Sequence, residues 1–240
     1  MSKALNFPDR VLSLGLVNSV VDDFPAKDTT VWTTTASDSG TAAVGDVVNG
    51  VVQLLPSDGT VADNDEVYLQ TKELFKIAAG KPLMAGIYLQ FTEAATNAAN
   101  VMFGFMDAPT ANAIVDNGAG PKTTFSGAVI YKVDGQNLWQ CAYSDGAVQT
   151  FSGLLNVATA LNRVAQTAGG AAWVKLEVEI IPTAGGLCDV AFTINDVCVF
   201  KMLDRTFANA TEMALFVGAK NGSANQETIN VDWIYGLQKR

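Results

Sequence analysis

Histidine is absent from the 240 residues, and with it go an imidazole base, a histidine metal ligand and every nucleophile that relies on a Ser/His or Cys/His pair. Charge is scarce as well: 16% of residues are Asp, Glu, Lys or Arg, against about 25% in ordinary soluble domains. No apolar run reaches the roughly 20 residues that a membrane-spanning helix needs. The best candidate, residues 11–21, is cut by Asn18, Asp22 and Asp23, so a soluble chain is expected. A secretory signal does not fit either, because Pro8, Asp9 and Arg10 break the run that follows Lys3. Cysteine is limited to Cys141, Cys188 and Cys198, an odd set with no C-x-x-C and no zinc-site spacing. Buried free thiols in a reduced compartment are the expectation.

What the chain does have is apolar mass, 49% of it, and an acidic balance of 24 Asp+Glu against 15 Lys+Arg for a net charge of −9. At 25.3 kDa a folded chain exposes roughly 10,000 Å² of the roughly 37,000 Å² open to the extended chain, so about 70% can be buried. Intrinsic disorder and a disulfide-dependent miniprotein are excluded. An acidic surface repels phosphate backbones and anionic lipid, so neither nucleic acid nor membrane is an expected partner. With no linker, charge block or fixed repeat after Asp22, one domain is expected over residues 22–240, preceded by an N-terminal arm over residues 1–21.

Turn pairs recur: Asn49-Gly50, Asp58-Gly59, Asn117-Gly118, Asp134-Gly135, Asp145-Gly146, Gly185-Gly186 and Asn221-Gly222. Such pairs supply the positive φ angles of tight reversals. Between them lie short runs of period two. Val174, Leu176, Val178 and Ile180 fall on one face, with Lys175, Glu177 and Glu179 on the other. The same alternation runs through Val190, Phe192 and Ile194; Ala85, Ile87, Leu89 and Phe91; Val101, Phe103 and Phe105; and Ile229, Val231, Trp233 and Tyr235. Residues 213–217 and 51–55 are apolar on both faces, which predicts central or covered strands. At most one short helix is expected, over residues 157–168, where Val157, Leu161 and Val164 have helical spacing before Gly169-Gly170. A dozen or so strands separated by turns predict an all-β, two-sheet antiparallel sandwich.

The order of these elements carries a resemblance. Asp22-Asp23-Phe24 and Trp32 are followed by a strand over residues 45–55, then by residues 63–69 leading to Glu73-Leu74-Phe75. Next come the strands over residues 84–91 and 102–107, and later residues 173–181, the hairpin of residues 192–197 and the closing Val231-Asp232-Trp233-Ile234-Tyr235. This order resembles the concanavalin A-like (laminin-G-like) jelly roll, and in particular the versions found in structural proteins of tailed bacteriophages. The resemblance implies a non-enzymatic virion component: a head decoration, or cement, protein that binds the outer surface of the capsid and bridges its subunits. It further implies a major capsid protein as partner, a homo-oligomer with a trimer preferred, assembly in the host cytoplasm, residence on the capsid exterior, and no cofactor. The alternative is a carbohydrate-binding or host-adhesion module of a phage tail or fibre, and behind it a glycan hydrolase of the same fold.

Hydrolases of the concanavalin A-like clan place Glu-x-Asp-x-x-Glu on one strand; here Glu177-Val178-Glu179-Ile180-Ile181-Pro182 keeps two carboxylates and has Pro182 at the third position. Retaining hydrolysis wants carboxyl groups about 5–5.5 Å apart, whereas residues i and i+2 of a strand lie roughly 7 Å apart. A solvated face balanced by Lys175 is the plainer reading, and no catalytic residue is assigned. Asp63, Asp65 and Glu66 could attract calcium, but they lack the spaced Asp-x-Asp-x-Asp-Gly run and read as a turn, so no metal is assigned. Trp139 and Tyr143 share a strand face, and Trp32 and Trp233 lie in other strands; four tryptophans read as core or interface anchors unless one stands on the concave face beside Asp, Asn or Gln. A two-residue turn at Asn195-Asp196 sets Ile194 opposite Val197 and Cys198 opposite Thr193, and carries Cys188 to Leu203, away from any disulfide. The arm supplies the candidate capsid or subunit contacts: Leu5, Phe7, Leu12, Leu14 and Leu16.

Overall fold

A computed structural model describes residues 17–45, 50–57, 59–207 and 211–240. Two eight-stranded antiparallel sheets face each other. The first contains β1 (Val17–Asp22), β3 (Ser39–Gly45), β4 (Val51–Ser57), β7 (Leu83–Thr92), β14 (Val174–Pro182), β15 (Leu187–Ile194), β16 (Val197–Thr206) and β18 (Thr228–Lys239). Its spatial order is β16-β15-β14-β7-β18-β4-β3, with β1 also paired to β18. The second contains β2 (Trp32–Ala36), β5 (Glu66–Thr71), β6 (Phe75–Lys76), β8 (Ala99–Met106), β11 (Ser126–Lys132), β12 (Gln140–Asp145), β13 (Gln149–Phe151) and β17 (Glu212–Asn221). Its order is β13-β12-β11-β8-β17-β5-β2, with β6 on the end of β17. A small hairpin, β9 (Ile114–Val115) and β10 (Gly120–Pro121), stands apart. This is the expected jelly-roll sandwich, and its accessible surface of 10789 Å² agrees with the size argument.

The core lies between the sheets, filled from one side by Ile87, Leu89, Leu176, Val178 and Ile180 and from the other by Val101, Phe103, Phe105, Leu215 and Val217. Each such side chain contributes about 1.5–3 kcal/mol by leaving water. Asp22 ties the first strand to the other sheet: one carboxylate oxygen accepts the Trp32 indole N–H at 2.7 Å and the other accepts the Phe24 amide at 2.8 Å. Val17 to Val21, placed within the arm from sequence, run as strand β1 along β18. Leu5, Phe7, Leu12, Leu14 and Leu16 lie outside the described residues.

The doubly apolar run 213–217 is central, as expected, but its cover comes from this same chain. Residues 107–125 fold back over the outer face of the second sheet, where Ala113, Ile114 and Phe125 meet Tyr68, Met102, Met106, Val129 and Phe216. Lys220 pins this flap. Its ammonium is fully buried, 3.1 Å from Glu66 Oε2, and bonded to Asp116, to Asn112 Oδ1 at 2.9 Å and to the Ile114 carbonyl at 2.8 Å. The Ile114 amide donates to the Tyr68 hydroxyl, which donates to Glu66. In β4, Val52 and Leu54 point inward while Val51, Gln53 and Leu55 stay half-exposed.

The helical spacing at residues 157–168 is not realised. Among the described residues the only helical element is the 3₁₀ turn Ala184–Gly186, and none is long and apolar enough to cross a membrane. The Leu161 amide donates to Val199 of β16, not to an i−4 carbonyl, and Arg163 takes φ 56°, outside the helical region. Val157, Leu161 and Val164 are left exposed.

Candidate functional site

Strand β18 holds the residue that shapes the outer face of the first sheet. Val231 lies opposite Leu89 and Trp233 opposite Tyr88, so Asp232 is an extra residue, a β-bulge. One inserted residue moves all later side chains to the other face. Ile229 and Val231 enter the core, Ile234 then takes the inward position, and Trp233 and Tyr235 turn outward. Thus the single-face reading of Ile229, Val231, Trp233 and Tyr235 is corrected. The bulge falls where the other edge of β18 changes partner, from β4 at residues 229–231 to β1 at residues 234–239.

The outward turn assembles an aromatic row. Tyr88 lies 5.1 Å from Trp173 with planes 25° apart, and 5.9 Å from Trp233 at 17°. Trp233 lies 5.7 Å from Tyr235 at 16°. Tyr88, Trp173 and Trp233 are half-buried, while Tyr235 is nearly covered. Gly86 makes room for Tyr235, because a Cβ there would meet the tyrosine ring at 2.4 Å. The Tyr235 hydroxyl reaches across to donate to Glu177 Oε1 at 2.7 Å. Burial and this carboxylate hold the phenol well above the usual tyrosine range.

Beside the rings runs a row of amides in register. Gln53 donates to Asn230 at 3.1 Å, Asn230 to Gln90 at 3.3 Å, and Gln90 to the Ala171 carbonyl at 2.5 Å. On the other flank, Lys175 lies 3.0 Å from Glu177 and 2.6 Å from Asp196. Burial raises the Glu179 carboxyl, with Lys201 opposing and Glu177 adding to the shift. Burial also raises Asp232, with Asp23 adding to it. The rings stack on one another in a half-buried row, and the amides and carboxylates beside them offer several acceptors and donors to hydroxyls.

Other candidates are dispersed. Trp139 and Tyr143 lie in the core, Trp139 edge-on to Phe91 at 5.9 Å and Tyr143 donating to the Thr206 carbonyl at 2.7 Å. Trp32 is buried as well. Asp65 accepts the Ala62 amide, and Glu66 turns away to Lys220. Among the described residues no group of three or more His, Cys, Asp or Glu is placed to hold a metal ion. All three cysteines are free. The Asn195-Asp196 turn is formed with φ 49° and 67°, and Cys198 faces Thr193. Two irregularities along β15 and β16 then carry Cys188 opposite Arg205, correcting the expected Leu203. Sequence reasoning missed Tyr88, Gln90 and Asn230 as a set. The available signal was an aromatic and two amides in the outward register of two strands whose inward residues, Ile87, Leu89 and Phe91 on one and Ile229, Val231 and Ile234 on the other, are apolar.

No protein-family model matches the chain, and no curated protein matches it in sequence. Solved structures do resemble it in fold. The carbohydrate recognition domain of Emp47p superposes with a TM-score of 0.60 at 12% identity, covering 92% of this chain and 95% of that one. Peanut lectin gives 0.56 at 11% identity, covering 93% and 97%. An endo-β-1,4-glucuronan lyase from the fungus Trichoderma reesei gives 0.53 at 10%, covering 87% and 90%. The chain therefore has the concanavalin A/legume-lectin-like jelly-roll fold. At these identities the likeness concerns architecture only.

Proposed function

We propose that this chain is a non-enzymatic carbohydrate-binding or adhesion module that receives a glycan on the outer face of the first sheet. The observation that carries this reading is the parallel set Trp173, Tyr88 and Trp233 beside the amide row Gln53, Asn230 and Gln90. Structural likeness to lectin domains supports it at the level of fold. The test is a glycan array followed by calorimetry with Trp233→Ala. Loss of a ring contact worth about 0.5–1.5 kcal/mol should weaken binding roughly two- to tenfold with the far-UV spectrum unchanged. Failure of the intact protein to bind any glycan would remove the reading.

A second reading is the head decoration protein. A specific observation favours it: Val148, Phe151, Leu203, Val157, Leu161 and Val164 are exposed, and the first three lie on or beside β13 and β16, the edge strands of the two sheets. Apolar side chains on open sheet edges invite a protein partner. In this reading the module sits on the capsid exterior against the major capsid protein, as a homo-oligomer, a trimer by analogy, and is assembled in the host cytoplasm. Co-sedimentation with purified phage heads that is abolished by Phe151→Asp combined with Leu203→Asp would support it. Heads that pellet without the protein would remove it.

A further inference from the structure

Basic side chains gather at one place on this acidic molecule. Where the start of β1 meets the ends of β6 and β18, a cavity of about 490 Å³ is lined by Lys76, Lys81, Lys239 and Arg240, together with Asn18 and Gln238. These are four of the 15 Lys and Arg residues in a chain of net charge −9. Among the described residues no acidic side chain lines the cavity. Lys132, Lys175 and Lys220 meet carboxylates elsewhere, whereas none of these four side chains forms an ion pair or donates a hydrogen bond among the described residues. Glu212 stands opposite Lys76 in register on β17 and forms no ion pair with it. An α-carboxylate on Arg240 would offset one of the four charges and leave the cavity cationic.

Hydrogen bonds fix the frame and leave the charged tips unpaired. Gln238, itself buried, clamps the Lys76 backbone, accepting its amide at 3.1 Å and donating to its carbonyl. The Asn18 side-chain amide donates to the Leu74 carbonyl at 2.6 Å, the Lys239 backbone N–H to the Pro82 carbonyl at 3.2 Å and the Lys81 backbone N–H to the Ala78 carbonyl at 3.0 Å. The cations come in two pairs from two segments: Lys76 and Lys81 from the end of β6 and the turn after it, Lys239 and Arg240 from the end of β18. Like charges gathered around one cavity repel one another, and an anion among them turns that repulsion into attraction. The acidic surface farther off than a Debye length, about 8–10 Å at 0.1–0.15 M salt, is screened, so the local cations set the field inside. The volume falls in the range of about 300–1,000 Å³ found for small-molecule sites and leaves room for more than one tetrahedral oxyanion.

We infer that this cavity binds a small ligand bearing two phosphate or sulfate ester groups, one held by each pair of cations. Lys239 follows Trp233 by six residues of β18, about 20 Å along an extended strand, so the site is separate from the ring row and does not depend on the glycan reading. The measurement is calorimetry of the full chain at about pH 7.5 in about 0.1 M salt with fructose 1,6-bisphosphate, a disulfated disaccharide, inorganic phosphate and uncharged sucrose. At least one of the two doubly esterified probes should bind about fivefold or more tighter than inorganic phosphate, because a single oxyanion engages one pair of cations only, and sucrose should give no heat. A preference between those two probes tells phosphate esters from sulfate esters. Lys81→Gln and Lys239→Gln, both at exposed positions, should each weaken the tighter probe about two- to fivefold, and together about fourfold or more. Lys201→Gln, on the distant edge strand β16, should leave the affinity unchanged. No heat from either doubly esterified probe, inorganic phosphate bound as tightly as both, or a loss in Lys201→Gln equal to that in Lys81→Gln overturns the inference.

Discussion

The rings of Tyr88 and Trp233 lie parallel on one face, 5.9 Å and 17° apart, because Asp232 is inserted ahead of Trp233 in β18. Were Asp232 paired as an ordinary strand residue, strict alternation would send the indole into the core and Ile234 into solvent. Deleting Asp232 removes the bulge but keeps Val231 opposite Leu89 and Trp233 opposite Tyr88, so the core is preserved and the loss of stability should stay within about 0.5–3 kcal/mol. Urea midpoints would read the loss, and near-UV circular dichroism should show the ring row retained.

Gly86 and Tyr235 form a second dependency. A Cβ at position 86 would lie 2.4 Å from the ring, so Gly86→Ala should cost about 1–3 kcal/mol as the ring is displaced. Tyr235→Phe keeps the ring and loses the bond to the Glu177 carboxylate, for about 1.5 kcal/mol. Thermal melts of the two variants should rank in that order.

Lys220 and Glu66 hold the flap. Lys220→Met strands the almost fully buried Glu66 carboxylate, and breaking a buried pair of this kind costs about 3–5 kcal/mol. Hydrogen exchange should accelerate in residues 107–125 well before the sheets exchange. Protection of that segment unchanged from wild type would contradict the pinning role.

Glu227 makes stability depend on pH. Its side chain is buried in the β17–β18 connection, where burial, opposed by the Ala94 amide and added to by Glu93, pushes its carboxyl up from 4.5 to about 7. Its Oε1 has no partner among the described residues. The folded chain thus holds this proton more tightly than the unfolded chain, so stability from this group is complete below about 4.5 and is lost as pH rises through about 7. Solvent screening reduces the full shift, leaving about 1–2 kcal/mol. Glu227→Gln should flatten the decline between pH 5 and pH 8 in urea titrations.

Much of this was legible in the chain itself. The alternation in β7, β8, β14 and β15 gave the inward residues, and the Asn195-Asp196 turn gave the first pairs of its hairpin correctly. What escaped was every feature that depends on counting across strands. Bulges along β16 moved Cys188 from Leu203 to Arg205, and the bulge in β18 moved Trp233 from the face shared with Val231 to the one shared with Tyr88. The helical spacing of Val157, Leu161 and Val164 misled because the Leu161 amide found a strand carbonyl, and a local pattern holds only when no distant partner competes for its hydrogen bonds.

The amino-acid sequence by itself determined the class of fold, the lack of histidine chemistry and the acidic balance, since composition and period-two burial act residue by residue. Tertiary structure alone decided which apolar strands needed a partner and which aromatics reached solvent. Burial of Met213 to Val217 is completed by residues 107–125 of the same chain. The rings Trp173, Tyr88 and Trp233 come from segments far apart in sequence and meet only because pairing register, altered by one residue, sets them on the same side of three adjacent strands.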